Sequence, residues 1–248
     1  TFEQTGKNNF VAIQTEGAVR IARLAAAAGV GRMVHISSIG ADLASKSFYS
    51  KTKARGENGI TEHFSNAVIL RPSIIFGPED QFFNRFAAMS KISPFLPLIG
   101  AQTKFQPVFV DDVALAAVLA LTGGLDAGIY ELGGPEVGSF EDLMQRMLTV
   151  IKRKRITLNI PFFAARIMAW GFDLLQRASF GIFKNGVVTS DQVKSLDTDN
   201  IVSGDYRTFS DIGIVPTSLD AVLPEYLWCY RPSGQYFAIK DSAKKLGK

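Results

Sequence analysis

The sequence predicts an α/β chain built on a parallel sheet. Two observations carry that expectation. Amphipathic stretches alternate with short apolar runs bounded by Gly, Pro, Asn and Asp, the mark of successive βαβ units. The composition, 47% apolar and 20% charged over 248 residues, suits a folded chain with a substantial core.

The elements follow in order. Asn8 and Asn9 open an amphipathic run from Phe10 to Ala28, which Gly29 closes as a helix C-cap. Arg32 to Ser37 reads as a short buried strand, and Ile39 to Ser47 as a loop of small and polar residues. Tyr49 to Phe64 reads as a helix, and Ala67 to Arg71 as the next strand, ended by Pro72. Gly77-Pro78 breaks the chain before a helix from Asp80 to Ile92. Pro94 and Pro97 punctuate a predicted loop. Gln106 to Val110 reads as a strand, with Asp111 or Asp112 capping a helix to Leu121. Gly128 to Leu132 is a further strand. Ser139 with Asp142 resembles a capping box for a helix to Ile151.

The last third changes character. Lys152-Arg153-Lys154-Arg155 is a compact basic run. From Pro161 to Phe183 the spacing predicts an amphipathic helix, with Arg166, Asp173 and Arg177 on one face and Phe163, Ile167, Trp170 and Leu174 on another. Shorter helices are expected at Ser190–Leu196 and Ser218–Tyr230. The expected division is therefore 1–150, the sheet-bearing part with some segments of a second domain, and 151–248, a small and mostly helical region.

The bulk numbers exclude several classes. Net charge is 27 − 23 = +4, which permits an anionic ligand or lipid surface but does not call for nucleic acid. Cys229 is the single cysteine, so no internal disulfide can form, and a reducing, cytoplasmic setting is the simplest expectation. Two histidines and no Cys/His cluster argue against a transition-metal site. No apolar run is long enough for a transmembrane helix, and no signal peptide is present. The basic run and the amphipathic segment, 152–183, are together suited to an anionic membrane surface or a partner protein. That would make the protein peripheral on the inner face of the cell membrane.

One constellation carries chemistry. Tyr49 and Lys53 stand four apart on a predicted helix, hence on one face. Ser37 and Ser38 end the apolar run just upstream. An ammonium beside a phenol favours the phenolate, and a hydroxyl nearby can steer a substrate oxygen, an arrangement for acid/base work beside hydride transfer. The blander reading of Ser37 and Ser38 is strand-end hydroxyls satisfying backbone groups. His35 reads as a packed core histidine. Asp111 and Asp112 read as a helix cap and a first-turn acid.

A dinucleotide-binding fold normally opens with a strand, a Gly-x-Gly-x-x-Gly turn and a helix. That turn is not found: Gly29-Val30-Gly31 lies on the wrong side of its element, and Gly123-Gly124 and Gly133-Gly134 lack the third glycine. The first element is already a crossover helix. The expectation is that an opening βαβαβ half, on the order of 70–100 residues, precedes Thr1.

Val34-His35-Ile36-Ser37-Ser38, Tyr49-x-x-x-Lys53 and Arg71-Pro72-Ser73-Ile74-Ile75-Phe76-Gly77-Pro78 come in the order and spacing of the extended and atypical short-chain dehydrogenase/reductases, which the chain resembles. The stretches 77–86 and 106–114 resemble, more narrowly, the nucleotide-binding accessory subunit of respiratory complex I and its alphaproteobacterial relatives. Ser190-Asp191-Gln192-Val193, Asp199-Asn200 and 230–236 do so as well. The resemblance implies a Rossmann-like sheet with its glycine-turn half absent from this chain. It implies that Tyr49 is the acid/base, that Lys53 holds the nicotinamide ribose and lowers the tyrosine pKa, and that Ser38 orients the substrate oxygen. The turn formed by Pro72, Ser73, Ile74 and Ile75 would present backbone groups to the nicotinamide. NADP(H) or NAD(H) is the implied cofactor of the intact parent, with weak or no binding by this stretch by itself. Two functions follow. The first is a binding and assembly protein associated with complex I subunits. The second is a working reductase or epimerase/dehydratase on a nucleotide-sugar or lipid-like substrate. The pattern departs from the family in a shorter serine-to-tyrosine separation and in the missing glycine turn.

Overall fold

The computed structural model describes residues 8–178 and 189–236. A π-helical stretch, Val11–Gly17, runs into α1 (Ala18–Ala27), followed by β1 (Val34–Ile36), α2 (Phe48–His63), β2 (Val68–Pro72) and β3 (Ile75–Phe76). Then come α3 (Phe83–Ile92), β4 (Phe95–Ile99), β5 (Lys104–Phe105), β6 (Val108–Phe109), α4 (Val110–Thr122) and β7 (Gly128–Leu132). The remainder is β8 (Gly138–Ser139), α5 (Phe140–Val150), β9 (Ile156–Ile160), α6 (Phe162–Ala178), α7 (Ser190–Ser195) and α8 (Leu219–Leu227).

The central sheet is parallel, in the order β1-β2-β7. Val34 pairs with Val68, and Val68 with Gly128. β2 is buried along its whole length, as a central parallel strand covered on both faces should be. Val34, Val68, Leu70, Tyr130 and Leu132 pack on α4 through Val113, Ala116 and Ala120. The alternate residues face α2, where Arg71 meets Glu57. The result is helix, sheet, helix.

The N-terminal helix forms as expected. The Asn9 side chain accepts from the Ala12 amide at 2.9 Å, and Gly29 ends the helix at φ +68° with bonds back to Ala26 and from Val30 to Ala25. α1 and α2 lie unusually close. A Cβ on Gly56 would sit 2.3 Å from the Gln14 carbonyl oxygen, and one on Gly59 would sit 2.3 Å from Val19 Cγ2. These two glycines cost helix propensity, about 1 kcal/mol each, and in return let the backbones approach.

A second apolar core gathers Phe76, Phe83, Leu96, Leu98, Phe140, Met144, Met147, Leu223 and Leu227. Four phenylalanines, Phe82, Phe86, Phe105 and Phe140, meet there with centroids 5.3–6.1 Å apart. Over it lies a parallel two-stranded ribbon in which Phe95 pairs with Ile156 and Pro97 with Leu158.

Several expectations are corrected. The segment expected as a loop is strand from Phe95, because a two-stranded ribbon leaves one side of β4 without a ladder and so tolerates Pro97. Its partner β9 was not anticipated. The strand over Gln106–Val110 is cut short: helix α4 already starts at Val110, with Phe109 at its N-cap. Asp111 and Asp112 occupy its first turn. Asp112 is buried and accepts from the Thr217 amide and hydroxyl at 2.7 and 3.0 Å. The α3 helix starts at Phe83, while Asp80 accepts from the Phe82 and Asn84 amides ahead of it. The capping box of Ser139 and Asp142 is as expected.

α6 presents its expected apolar face outward. Its small residues Ala165 and Ala169 are the buried ones, packed with Val193, Ile99 and Ile160. Phe163, Ile167 and Trp170 are 65–69% exposed. The side chains of Asp173, Leu174 and Arg177, and residues 179–183, lie outside the described residues.

Candidate functional site

The site begins at the C-terminal end of β1, the end at which open parallel sheets receive ligands. The ladder continues past the strand: the Ser37 amide donates to the Leu70 carbonyl at 2.7 Å and the Ile39 amide to that of Pro72 at 3.1 Å. Ser37 and Ser38 are thereby fixed beside the start of α2.

Tyr49 stands in the first turn of α2 and Lys53 one turn on, as the spacing of four predicts. Lys53 Nζ donates to the Ile36 carbonyl at 3.0 Å, so the ammonium is pinned to the strand end. Burial lowers its pKa, and the Glu57 carboxylate, one further turn along, offsets part of that. Phe10 packs edge-on against the Tyr49 ring at 5.8 Å. Burial is also what governs the phenol. It raises the Tyr49 pKa, and the nearby Ser38 hydroxyl counters only part of the rise. Burial thus favours the protonated phenol.

Ser38 does come up to the phenol, despite the short separation in sequence. The Oγ atoms of Ser37 and Ser38 and Nε2 of His35 are buried with no partner at full hydrogen-bond geometry, Ser38 only approaching the phenol. The bland reading of the serines is thus corrected, since neither hydroxyl satisfies a backbone group. His35 is held neutral, with its pKa pushed down to about 4 by burial and then by Lys53. Three buried polar atoms without protein partners around a pinned ammonium are unusual, because such groups normally find a partner in the fold.

Behind Lys53 lies a buried ion pair that the spacing of types did not disclose. Arg71 donates to both Glu57 oxygens, at 2.9 and 2.6 Å, and its guanidinium stacks 4.7 Å from the Tyr206 ring centre. The pair keeps α2 in register with β2.

The turn after β2 is placed as follows. Pro72 ends the strand. The Ser73 amide donates to the Leu132 carbonyl, and the Ser73 hydroxyl is engaged by Asn200, at 2.7 Å to Oδ1 and 3.0 Å to the carbonyl. Ile74 accepts from the Val108 amide, and Ile75 lies in β3. The Ser73 side chain is therefore not free to meet a ligand.

Two further residues were missed. Asp191 and Asn200, both in the stretch after 188, bond to the start of α2 and to the turn. Both fall in stretches that carry the family resemblance, but their partners lie 127–144 residues away in sequence, so local spacing did not show their role.

The constellation has a matching ancestry. The model of the 3-beta hydroxysteroid dehydrogenase/isomerase family matches residues 41–128, the span holding Tyr49, Lys53 and the turn. The mitochondrial NADH dehydrogenase [ubiquinone] 1 alpha subcomplex subunit 9 of Arabidopsis thaliana is 35% identical over 220 residues, covering 87% of this chain and 55% of that protein. The chain is thus similar over 41–128 to that family and over most of its length to a complex I subunit. A second relative, the NADH-ubiquinone oxidoreductase 40 kDa subunit of Neurospora crassa, is 30% identical over 96% of this chain and 60% of its own length. The chain thus spans little more than half of the curated relatives it matches. A similar fold appears in a dTDP-glucose 4,6-dehydratase from Streptomyces venezuelae, with a TM-score of 0.63 at 18% identity over 91% of this chain and 67% of that one.

Proposed function

We propose that this chain is the nicotinamide-end portion of an NAD(P)(H)-binding accessory or assembly protein of respiratory complex I. The observation that carries the reading is the pinned Lys53 ammonium one helical turn from Tyr49, with Ser37 and Ser38 buried and without hydrogen-bond partners at the same strand end. Buried polar atoms without partners cost about 1–3 kcal/mol each unless a ligand supplies hydrogen bonds. A nicotinamide ribose, with two hydroxyls, and a carboxamide fit that need.

In this reading Lys53 holds the ribose hydroxyls, Tyr49 and Ser38 donate to a ligand oxygen, and backbone groups of Pro72, Ser73, Ile74 and Ile75 border the ring. The nucleotide, when bound, supplies hydride chemistry. Binding is preferred to turnover because the chain is similar to complex I subunits over most of its length. The likeness to mitochondrial complex I subunits supplies the partner.

The same reading places the protein in the cytoplasm, peripheral on the inner face of the cell membrane, with 152–183 against anionic lipid and no nucleic-acid partner. Among the described residues no helix is long and apolar enough to cross a membrane. Support comes from the exposed Phe163, Ile167 and Trp170, and from Phe95, Ile156 and Leu158 exposed on one face of the β4–β9 ribbon. Lys152 and Lys154 are exposed, whereas Arg153 and Arg155 are bound to the Tyr230 and Ser90 carbonyls. The division at about residue 150 is part of the proposal too.

The test is native mass spectrometry of the protein as its gene encodes it. A retained NAD(H) or NADP(H), lost from Lys53→Met, together with copurification of complex I subunits, is expected. No nicotinamide nucleotide retained or bound at millimolar concentration would overturn the reading.

A further inference from the structure

The α2 helix needs acceptors for the amides of its first turn. Its own cap residue is a poor supplier: Ser47 Oγ accepts from the Ser50 amide at 3.4 Å. The work is done from far away. Asp191, 4% exposed in α7, accepts from the Phe48 amide at 2.6 Å, the Tyr49 amide at 3.0 Å and Ser47 Oγ at 3.0 Å. Ser195, one turn along α7, donates to Ser47 Oγ at 2.9 Å. A carboxylate at a helix N-terminus meets both the unpaired amides and the positive end of the helix dipole.

The rest of the same strap binds the other pieces of the site. Asn200 takes the Ser73 hydroxyl at Oδ1 and donates to the Ile39 carbonyl at 3.5 Å. Its backbone bridges Lys104 and Gln106. Residues 191–200 thus touch the helix start that carries Tyr49, the loop that follows Ser38, and the turn after β2. These are the parts assigned above to the nicotinamide end.

The remainder of α2 does not depend on the strap. Its Gly56 and Gly59 close onto the N-terminal helix, Ile60 and Phe64 pack with Ala22, and Glu57 is locked to Arg71. Removing Asp191 therefore leaves α2 folded and frees its first turn, where Tyr49 stands.

We infer that Asp191 is a positioning residue for the nicotinamide end of the site, acting through the first turn of α2, so that docking of the 191–200 strap and binding of the nicotinamide half of the nucleotide favour one another. The inference rests on the function proposed above. The coupling is reciprocal, as any such linkage between binding equilibria must be.

The experiment uses the protein as its gene encodes it, with NADH and NADPH as probes beside ADP and 2′,5′-ADP, which lack the nicotinamide half. For Asp191→Ala, loss of a helix cap predicts dinucleotide affinity weakened roughly tenfold, with ADP and 2′,5′-ADP affinities unchanged. Amide hydrogen exchange at Phe48 and Tyr49 rises, and that at Ile60 does not. In the wild type, NADH or NADPH slows exchange across 191–200. Asp191→Asn, which keeps an acceptor oxygen, falls between wild type and Asp191→Ala, and serves if the alanine variant does not fold. Equal loss of dinucleotide and ADP affinity overturns the inference, since a merely structural residue would do that. Wild-type dinucleotide affinity in both variants overturns it as well. A wild-type protein that binds neither dinucleotide overturns the function proposed above and this inference with it.

Discussion

Lys53 is held by one backbone carbonyl, that of Ile36, with His35 and Glu57 as its titratable neighbours. Its replacement removes the cation and leaves the strand end intact. Lys53→Met is expected to lower nucleotide affinity at least tenfold with little change in melting temperature, read by calorimetry on the same preparations. His35 makes a separate prediction about pH. Its folded pKa of about 4 lies below the ordinary histidine value of 6.5, so the unfolded chain binds the extra proton in that window. Stability is complete above about pH 6.5 and is lost as pH falls toward 4, by up to about 3 kcal/mol for full burial and less for a side chain with some solvent access. His35→Gln flattens that slope in urea titrations at several pH values; an unchanged slope assigns it to other groups. Arg71 and Glu57 form a buried pair, and Glu57→Gln leaves a buried guanidinium half-paired. A loss of about 3–5 kcal/mol is expected, measured by denaturant unfolding. At this scale the sequence was informative where the chemistry is local. Tyr49 and Lys53 share a helix face, and Ser38 ends the preceding strand. Asp191 and Asn200 stood out only as part of the resemblance; their roles were illegible because their partners are supplied by tertiary docking.

Among the elements, α2 was legible in type and within a residue at its start, since Ser47 precedes a run with no breaker other than glycine. What the run does not reveal is why it holds two glycines. The structure answers with the close approach of Gln14 and Val19. Gly59→Leu forces the helices apart and is expected to cost about 3 kcal/mol or more, as overpacking at a tight backbone contact does; thermal melts read it directly. β4 was misread because Pro97 within it and Pro94 just before it look like loop punctuation. Pro97 is tolerated in a ribbon with one unpaired edge. α6 was read correctly as amphipathic, but the buried side is the alanine side. Exposed Ile167 and Trp170 are therefore the residues to change: Ile167→Glu with Trp170→Glu is expected to abolish sedimentation with vesicles rich in anionic lipid while leaving unfolding unchanged. Undiminished sedimentation removes α6 from any membrane role.

For the whole molecule, the parallel sheet follows from alternation of helix and apolar strand, and three of its strands are where the sequence put them. The small ribbon β4–β9 and the phenylalanine-rich core beneath it were not legible, because they join segments on either side of residue 150. β1 is the edge of the described sheet, with Ile36 40% exposed, and α1 and α4 keep Ile21, Leu24, Leu115 and Val118 half-exposed. With no Gly-x-Gly-x-x-Gly turn in these 248 residues to hold a pyrophosphate, the chain by itself is expected to bind NADH or NADPH with Kd no better than about 1 mM. The central claim is that Lys53 and Tyr49 receive a nicotinamide ribose at the end of β1. A structure of the protein as its gene encodes it, soaked with NADH or NADPH, tests it most directly. The account predicts ribose hydroxyls within hydrogen-bonding distance of Lys53 Nζ and Tyr49 Oη, about 2.6–3.2 Å. A nicotinamide seated elsewhere, with both side chains turned from it, would contradict the account.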